Sequence, residues 1–334
     1  MQNSDFAHKL KIFAGRANPV LAEAIATHLG TKLGRLIVND FPDTETAVRI
    51  DEDVRGRDVF IVQPTCPPVN QNLMELMVIL DAFKRASPHR LTAVLPYFGY
   101  ARQDRKDMSR VPITAKLVAN LLTSAGAHRV LALDLHTAQI QGFFDIPVDH
   151  LYAVKEITGY VRSLNIPAGE LVVLSSDEGA IKKALIYQKR LGGQIAVVDK
   201  RRSSATKTEQ AHIVGAPVDG KHVCIFDDMI STAGTIAGAA VAAKRNGAKT
   251  VTVCSTHGIL CGPAIERLRE SPIDRIAVCD SIPIPQEKIL PNMTIISIAG
   301  LMATAIKRIH GNESVSDLFQ SDLFQDVQTT TTGS

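Results

Sequence analysis

The 334-residue sequence contains no tryptophan, and only 5% of its residues are aromatic. The absence of tryptophan excludes indole stacking as a way of holding bases or sugars. A charge excess is also missing, because 37 basic residues stand against 34 acidic ones and the formal net charge is only +3. Proteins that coat nucleic acid usually carry a strong basic excess. The near-balance therefore argues against a nucleic-acid-binding protein and favours one with local charged sites.

Paired cysteines and long apolar runs are scarce as well. The cysteines, odd in number and without a CxxC pair, are Cys66, Cys224, Cys254, Cys261 and Cys279. Several lie in apolar runs, so we expect reduced, buried thiols. No apolar run approaches the roughly 18 residues of a membrane span, and the first ten residues lack the apolar core of a secretory signal. We expect a cytoplasmic protein with no membrane contact.

Short runs rich in valine, isoleucine and leucine recur along the whole chain, among them DVFIVQ, HRVLALDL, ELVVLSS and KTVTVCS. Helix-period stretches lie between them, at residues 19–29, 72–85, 113–125 and 235–246. This alternation predicts parallel sheets covered on both faces. Parallel strands need right-handed crossovers, so each half should be a doubly wound α/β layer.

The segment around residues 149–167 looks like the passage between two halves. LALDLHTAQI before it and CIFDDMISTAGTI after it are both strands that end in aspartate and continue into a loop. We therefore expect two similar α/β domains, at residues 1–150 and 151–310. The remaining segment, 311–334, ends in the polar run QDVQTTTTGS, which we expect to be disordered.

One predicted strand runs into two adjacent carboxylates. HVCIF, at His222–Phe226, reads as a buried strand, and Asp227 and Asp228 follow it. Ligands of parallel sheets bind at the carboxyl ends of the strands. Because carboxylates repel phosphate, the pair indicates contacts to sugar hydroxyls or to a Mg²⁺ ion that bridges to phosphates.

A loop of small residues follows the carboxylates and leads into an alanine-rich helix. It consists of Ser231, Thr232, Ala233, Gly234 and Thr235. The unpaired N–H groups and the positive dipole end of a helix start suit a phosphate, and glycine lets the backbone approach it. An N-capped helix beside surface aspartates is the simpler alternative, which the paired carboxylates disfavour. The loop lacks the Walker A and kinase patterns, and it resembles the 5-phosphoribosyl loop of the phosphoribosyltransferase fold.

The first half contains a basic stretch, LPYFGYARQDRKDMSRVPITAK. Its cationic residues are Arg102, Arg105, Lys106 and Arg110, with Lys116 at its end. It reads either as a basic loop before a helix or as a polyphosphate clamp with an aromatic edge, for which the arginine fork is suited. An RNA-binding patch is a third reading. The interleaved Asp104 and Asp107 and the modest net charge count against it.

Several motifs together carry a resemblance. FGYARQDRK and ITAK are followed by LALDLHTAQIQGFFDIPVDHL, SSDEGA, DKRR and DDMISTAGT, over roughly residues 9–320. In this order and spacing they resemble the ribose-phosphate diphosphokinase family, also called phosphoribosyl pyrophosphate synthetases. The family transfers the β,γ-diphosphate of Mg-ATP to the anomeric hydroxyl of ribose 5-phosphate and yields 5-phosphoribosyl 1-diphosphate and AMP.

The resemblance implies roles for individual residues. It implies ATP contacts in the ARQDRK loop for Arg102, Gln103 and Asp104. It implies association with Mg²⁺ for His136 and Asp177. It implies catalysis by the basic loop of DKRR, at Lys200 and Arg202. It implies a ribose 5-phosphate site at Asp227, Asp228 and residues 231–235. The segment DFPDTE resembles a family segment that holds adenine across a subunit boundary, which implies nucleotide contacts for Phe41, Asp43 and Glu45.

The resemblance also implies a homo-oligomer, a hexamer in the family, with ATP and ribose 5-phosphate as its partners. Two alternatives stay open: a non-catalytic regulatory paralogue, and a phosphoribosyltransferase that consumes the diphosphate sugar. A paralogue of this kind usually has a damaged phosphate loop, whereas this loop is whole. In a phosphoribosyltransferase, the RQDRK and LDLH segments would lack a purpose. No general base is singled out.

Three positions depart from the family pattern. Ser231 stands where many members have aspartate, and its hydroxyl can still donate to phosphate, so we expect activity to survive. Glu178 adds a carboxylate beside Asp177. Asp53, beside Arg55, replaces a serine of a regulatory anion site. A carboxylate at that position should repel phosphate or the β-phosphate of ADP, so we predict weakened phosphate activation or ADP inhibition.

Overall fold

Strands, most of them parallel, alternate with helices along the computed structural model, which describes residues 9–199 and 212–319. The strands, in chain order, are β1 (Leu10–Ala14), β2 (Leu36–Asp40), β3 (Thr46–Ile50), β4 (Asp58–Val62), β5 (Arg90–Leu95), β6 (Arg129–Leu133), β7 (Val148–Leu151), β8 (Leu171–Ser175), β9 (Gln194–Asp199), β10 (His212–Gly215), β11 (His222–Ile230), β12 (Thr250–Gly258), β13 (Arg275–Cys279) and β14 (Met293–Ile296).

The α-helices are α1 (Pro19–His28), α2 (Val69–Arg85), α3 (Thr114–Ala125), α4 (Val154–Ser163), α5 (Ile181–Leu191), α6 (Gly234–Arg245), α7 (Ala264–Glu270), α8 (Ala299–His310) and α9 (Ser316–Phe319). The four helical stretches read from the sequence correspond to α1, α2, α3 and α6, with ends shifted by three residues at most. Local signals explain the agreement at α1, because Asn18 accepts a hydrogen bond from the Leu21 N–H at 3.2 Å and proline occupies the first turn.

The described residues divide into two compact units. The first takes the residues up to Tyr152, the stretch Ser281–Pro283 and those from Ile298 onward; the second takes Ala153–Asp280 and Ile284–Ser297. The sequence placed a boundary after residue 150 and kept 151–310 in one domain. In the structure α8 belongs with the first unit instead, because it packs against α1. The tail expected to be disordered lies mostly outside the described residues.

The first unit is built on a five-stranded parallel sheet in the order β1-β4-β5-β6-β7. Its core is formed by apolar residues of the strands and of α2 and α3, with Phe13 and Phe83 in contact at a ring-centroid distance of 4.6 Å. The strands β2 and β3 form a separate antiparallel ribbon. This ribbon packs its apolar side chains, Leu36, Val38, Val48 and Ile50, against the same core.

The second unit is built on a seven-stranded sheet in the order β10-β9-β8-β11-β12-β13-β14, parallel except for β10. The chain passes from β8 outward to β9 and later returns to the other side of β8 as β11. The strand order therefore reverses between β8 and β11, and in parallel sheets such a switch point opens a crevice at the carboxyl ends of the strands. The parallel α/β fold expected from the sequence is confirmed in both units.

Within the described ranges, no helix is both long and apolar enough to cross a bilayer. The cysteines are free thiols, and all except the half-buried Cys261 are buried, as the sequence indicated. Burial raises the pKa of the Cys66 thiol to about 11 and that of Cys224 to about 12. Both thiols are therefore protonated and unreactive near neutral pH.

Helix α8 is tied to the first sheet by a buried ion cluster. Arg90 binds the Asp58 carboxylate with Nε at 2.8 Å and with its Nη2, and this Nη2 also donates to the Ile309 carbonyl at 2.8 Å. His310 Nδ1 lies 2.7 Å from Asp58 Oδ2. Burial alone would raise the pKa of Asp58, but the hydrogen bonds from His310 and Arg90 outweigh it and hold this pKa below its ordinary value of 3.8.

We expect this cluster to contribute acid-sensitive stability. The folded pKa of Asp58 lies below the unfolded one, so its contribution is present above about pH 4 and is lost as the pH falls through the folded pKa. Asp58→Asn should lower the melting temperature at pH 7 and flatten its decline between about pH 5 and pH 2. Calorimetric melts of both proteins across that range test this. An unchanged acid slope would contradict it.

Candidate functional site

The carboxyl end of β11 carries the two aspartates singled out in the sequence. Its pairing with β8 ends where Ile225 meets Leu174, at the switch point of the sheet. Contrary to the sequence reading, β11 does not end at Phe226. It continues through Asp227 and Asp228 to Ile230, because β12 extends alongside and keeps pairing with it. The carboxylates are thereby fixed on a regular strand next to the crevice.

A lysine that the sequence analysis did not identify binds both carboxylates. Lys183, in the first turn of α5, donates from Nζ to Asp228 Oδ1 at 2.5 Å and to Asp227 Oδ1 at 3.2 Å. Asp228 is buried, and its N–H donates to Asp227 Oδ1 at 2.8 Å. Burial raises the pKa of Asp227 to about 6, with the neighbouring Asp228 adding to the rise and Lys183 opposing it. The pair is thus concentrated negative charge that one cation partly neutralises.

The loop after β11 presents backbone groups at the start of α6. Ala233 is the N-cap and has a left-handed backbone with φ of 62°, and no side chain caps the helix there. Thr232, Gly234 and Thr235 are exposed around it. The first N–H groups of a helix have no partner within the helix, so an uncapped start of this kind suits an anion. The left-handed position is Ala233 and not the glycine.

Contacts from two residues, Arg267 and Cys261, hold this loop in place. Arg267 of α7 donates from Nη1 to the Thr232 carbonyl at 3.0 Å. Ser231 lies with Oγ 3.3 Å from the Cys261 thiol, and its carbonyl accepts a hydrogen bond from the Cys261 N–H at 3.1 Å. Ser231 is thus engaged with a neighbouring loop of the same unit.

Asp177 follows β8, the strand beside β11. Its Oδ1 accepts a hydrogen bond from the Ala180 N–H at 3.0 Å and caps the short turn Glu178–Ala180. Ser175 donates to the Asp177 carbonyl at 2.7 Å. The second carboxylate oxygen, Oδ2, takes no part in these bonds. The neighbouring Glu178 is exposed, so its charge lies at the rim of the crevice.

Magnesium fits this donor set only together with phosphates. In the described part of the chain, no group of three or more histidine, cysteine or acidic residues is placed to hold a metal ion. Mg²⁺ prefers oxygen ligands, keeps several waters and is usually bound through one or two carboxylates plus substrate phosphates. The Asp177 carboxylate matches that requirement, because its Oδ2 lies outside the capping hydrogen bond. An imidazole such as that of His136 suits Mg²⁺ better through a bound water than as a direct ligand.

The ARQDRK loop lies beyond β5 in the first unit. Tyr100 has a left-handed backbone with φ of 64°, and its hydroxyl donates to Asn70 Oδ1. Gly99 sits so close to Thr65 that a Cβ atom would lie 2.5 Å from the Thr65 carbonyl oxygen. This tight turn leaves Arg102 and Gln103 exposed, at the wall of a cavity of about 590 Å³.

The cavity has a composition suited to a polar ligand with an aromatic part. Its other walls include Tyr97, Tyr100 and the start of α2, whose N-cap Pro68 makes no side-chain cap. Gln103 accepts a hydrogen bond from the Thr114 hydroxyl at 2.5 Å, which orients it from the first residue of α3. The loop therefore presents a cation beside a preformed cavity.

The same edge of the first sheet carries the LDLH segment. Asp104 Oδ2 accepts a hydrogen bond from the Thr137 hydroxyl at 2.8 Å, so the ARQDRK loop and the loop after β6 are joined. His136, next to Thr137, is exposed. Within the first unit, the structure thus brings Asp104 and the segment of His136 together, as the shared edge of parallel strands predicts.

The DFPDTE segment forms the tip of the β2–β3 ribbon. Phe41 is 54% exposed, and Asp43 and Glu45 are exposed as well. Asp53, in the turn after β3, accepts a hydrogen bond from the Arg55 N–H at 3.1 Å. Lys200 and Arg202 lie outside the described residues. The strand before them, β9, ends at Asp199 on the same carboxyl edge as β8 and β11.

Sequence reasoning missed residues that act through long-range contacts. Lys183 and Arg267 carry no motif of their own, and each meets the site through a helix that packs on the sheet. The available signal for Lys183 was weak. It lies six residues after Asp177 in a helix that begins at the same crevice.

Comparison with known proteins agrees with this geometry. The model of the N-terminal domain of ribose phosphate pyrophosphokinase matches residues 10–126, and that of the phosphoribosyl synthetase-associated domain matches residues 202–320. The ribose-phosphate pyrophosphokinase of Rhodopirellula baltica is 61% identical over 312 residues, which cover 93% of this chain and 99% of the relative. Ribose-phosphate pyrophosphokinase 1 of Spinacia oleracea is 47% identical over 313 residues, 93% of each chain.

A solved structure extends the comparison to the fold. The crystal structure of phosphoribosylpyrophosphate synthetase from Mycobacterium smegmatis has a TM-score of 0.85 and 43% sequence identity, and the match covers 91% of this chain and 99% of the other. Identity at this level over nearly the whole length, with the phosphate loop and its paired carboxylates in place, shows that the chain belongs to the ribose-phosphate pyrophosphokinase family.

Proposed function

We propose that this chain transfers the β,γ-diphosphate of Mg-ATP to the anomeric hydroxyl of ribose 5-phosphate, giving 5-phosphoribosyl 1-diphosphate and AMP. The observation that carries the proposal is that the phosphate loop, residues 231–235, is intact. An uncapped helix start at Ala233 stands beside the carboxylate pair of Asp227 and Asp228. A non-catalytic paralogue would not need both parts intact, and a phosphoribosyltransferase would not need the ARQDRK loop.

The loop and the carboxylates divide the sugar between them. The N–H groups at the start of α6, with the hydroxyls of Ser231, Thr232 and Thr235, would bind the 5-phosphate. Asp227 and Asp228 would accept hydrogen bonds from the ring hydroxyls. Hydrogen bonds to a charged acceptor are stronger than those between neutral groups. Binding at both ends orients the anomeric hydroxyl, and alignment is the main requirement of phosphoryl transfer.

The nucleotide would be held by residues of the first unit. Arg102 and Gln103 would bind the triphosphate, and Asp104 would hold the loop through Thr137. Phe41, Asp43 and Glu45 would contact the adenosine, across a subunit boundary if the chain forms the hexamer of its family. Lys200 and Arg202 would oppose the charge that develops on the transferring group.

Magnesium would enter with ATP as part of the substrate. Asp177 is the carboxylate that would hold it, and the family resemblance assigns His136 the same association with magnesium. When bound, the ion neutralises charge on the phosphate oxygens. We also propose that the chain forms a homo-oligomer, that it is located in the cytoplasm and that it does not act on nucleic acid.

A product assay tests the proposal. Purified protein with ribose 5-phosphate, ATP and Mg²⁺ should release AMP in step with a ribose 5-phosphate-dependent diphosphate sugar. ADP as the product would indicate an ordinary kinase, and no turnover would leave the regulatory paralogue. The assay is repeated with added phosphate, where Asp53 predicts little activation. Strong activation by millimolar phosphate would contradict that part.

A further inference from the structure

Two buried side chains bind the backbone of the turn between β1 and α1. The Arg16 N–H donates to Glu75 Oε1 at 2.7 Å, and the Ala17 N–H donates to Gln63 Oε1 at 3.1 Å. Glu75, on α2, is 1% exposed, and Gln63, after β4, is fully buried. Gln63 also donates to Glu75 Oε1 at 3.0 Å. The backbone at Arg16 is therefore a rigid part of the core.

The Arg16 side chain extends this fixed point to the surface. Its Nε donates to Glu75 Oε2 at 2.6 Å, while Nη1 and Nη2 donate to the two Asp40 oxygens at 3.0 and 2.7 Å. One guanidinium thus bridges a buried carboxylate and an exposed one, with the paired geometry that arginine makes with carboxylates. The hydrogen bond from Arg16 also holds the pKa of Asp40 below its ordinary value.

Asp40 is the last residue of β2 and the neighbour of Phe41. The tip that follows, residues 41–45, is a closed unit: the Thr44 N–H donates to the Phe41 carbonyl, the Phe41 N–H donates to the Glu45 carbonyl, both at 2.8 Å, and Thr44 is left-handed with φ of 74°. The β2–β3 ribbon shares no ladder with the five-stranded sheet. The direction of the tip therefore depends on side-chain contacts such as the one at Asp40.

We infer that Arg16 is a positioning residue for nucleotide binding, acting through Asp40 on the ribbon tip that carries Phe41, Asp43 and Glu45. The inference rests on the proposed function, which assigns that tip to the adenosine. An exposed ion pair adds little to folding stability. A surface held in its binding orientation before the ligand arrives nevertheless binds more tightly, because less freedom is lost on association. The expected effect is therefore on nucleotide affinity.

The experiment uses Asp40→Asn in the full-length protein, a change that leaves the bond between Arg16 and Glu75 intact. We expect the KM for ATP, and the Kd for a non-hydrolysable Mg-ATP analogue measured by calorimetry, to rise about tenfold. The KM for ribose 5-phosphate and the melting temperature should stay at wild-type values. The matched control is Asp51→Asn. Asp51 pairs with Arg35 at 3.5 Å at the other end of the same ribbon, and its change should leave both nucleotide constants unaltered.

A double-mutant cycle separates positioning from a general loss of order. Arg16→Lys keeps the charge but lacks the fork that reaches two carboxylates, so it should weaken nucleotide binding as Asp40→Asn does. If both substitutions act through the same link between Arg16 and Asp40, the double variant should bind nucleotide no more weakly than the weaker-binding single variant. Additive losses would overturn the inference.

Two other results would also overturn it: nucleotide constants of Asp40→Asn within twofold of wild type, or an equal loss in Asp51→Asn. Failure of the proposed function would look different, because it would appear in the wild-type protein as missing AMP and diphosphate sugar. Analogue binding still reports on the link between Arg16 and the tip in that case.

Discussion

Lys200→Ala is expected to lower kcat by about three orders of magnitude while the affinity for ribose 5-phosphate stays nearly unchanged. The residue follows Asp199, the last residue of β9, at the carboxyl edge where β8 and β11 deliver Asp177 and Asp227. In the proposed role, the Lys200 cation would oppose the charge that builds up on the transferring phosphates, a transition-state effect that would leave sugar binding unchanged.

Turnover and sugar binding are measured separately for this variant, by single-turnover formation of AMP and by calorimetry with ribose 5-phosphate. The matched control is Lys221→Ala. Lys221 precedes β11, at the amino ends of the strands and away from the site, and its Nζ donates to the Gly169 carbonyl at 2.9 Å. Its loss should change kcat less than about threefold. Near-normal turnover of Lys200→Ala would refute the catalytic role.

Asp228→Asn is expected to lower kcat/KM for ribose 5-phosphate by about two orders of magnitude or more. A buried carboxylate that accepts hydrogen bonds from sugar hydroxyls contributes about 1.5–3 kcal/mol for each bond, and one of these bonds corresponds to a factor of about 10 to 100. The substitution also removes the partner of Lys183, whose Nζ lies 2.5 Å from Asp228 Oδ1. The KM for ATP should change little, because Asp228 is assigned to the sugar.

Asp274→Asn is the matched control for this substitution. Asp274 pairs with Lys244 at 3.0 Å and accepts a hydrogen bond from the Val251 N–H at the amino end of β12. It is thus an aspartate with a lysine partner on the same sheet, at the edge away from the site. Steady-state kinetics that show equal losses in both variants, or a loss in Asp228→Asn that falls on ATP, would contradict the assignment to the sugar.

Local patterns explain why the elements that carry the candidate site could be predicted from the sequence. The start of α6, the start of β11 and the exposed ARQDRK loop each depend on neighbours within a few residues, and the structure places them as the pattern indicated. The prediction that β11 ends at Phe226 was wrong, because the length of a strand depends on its partner. β12 lies more than twenty residues further along the chain and keeps Asp227 and Asp228 within the ladder.

The contacts that sequence reasoning missed join residues far apart in the chain. Lys183 meets Asp228 across 45 residues, and Arg16 meets Glu75 across 59. The spacing of apolar residues along α2 indicates which face of the helix is buried. It does not predict that Glu75 is also buried, beside an arginine from another element. The return of α8 to the first unit has no local signal at all, since the helix pattern looks the same whichever sheet it covers. The roles of the individual site residues stay predictions.

The position of α8 has a consequence for the order in which the chain folds during synthesis. Arg90 and Asp58 are made early, yet their partners, the Ile309 carbonyl and His310, emerge from the ribosome 219 and 252 residues later. The second unit, by contrast, is complete once Ser297 has been added. The second unit can therefore complete its fold before the first unit does. A fragment released after Tyr152 would leave one side of α1 uncovered and the Asp58 carboxylate without its histidine partner.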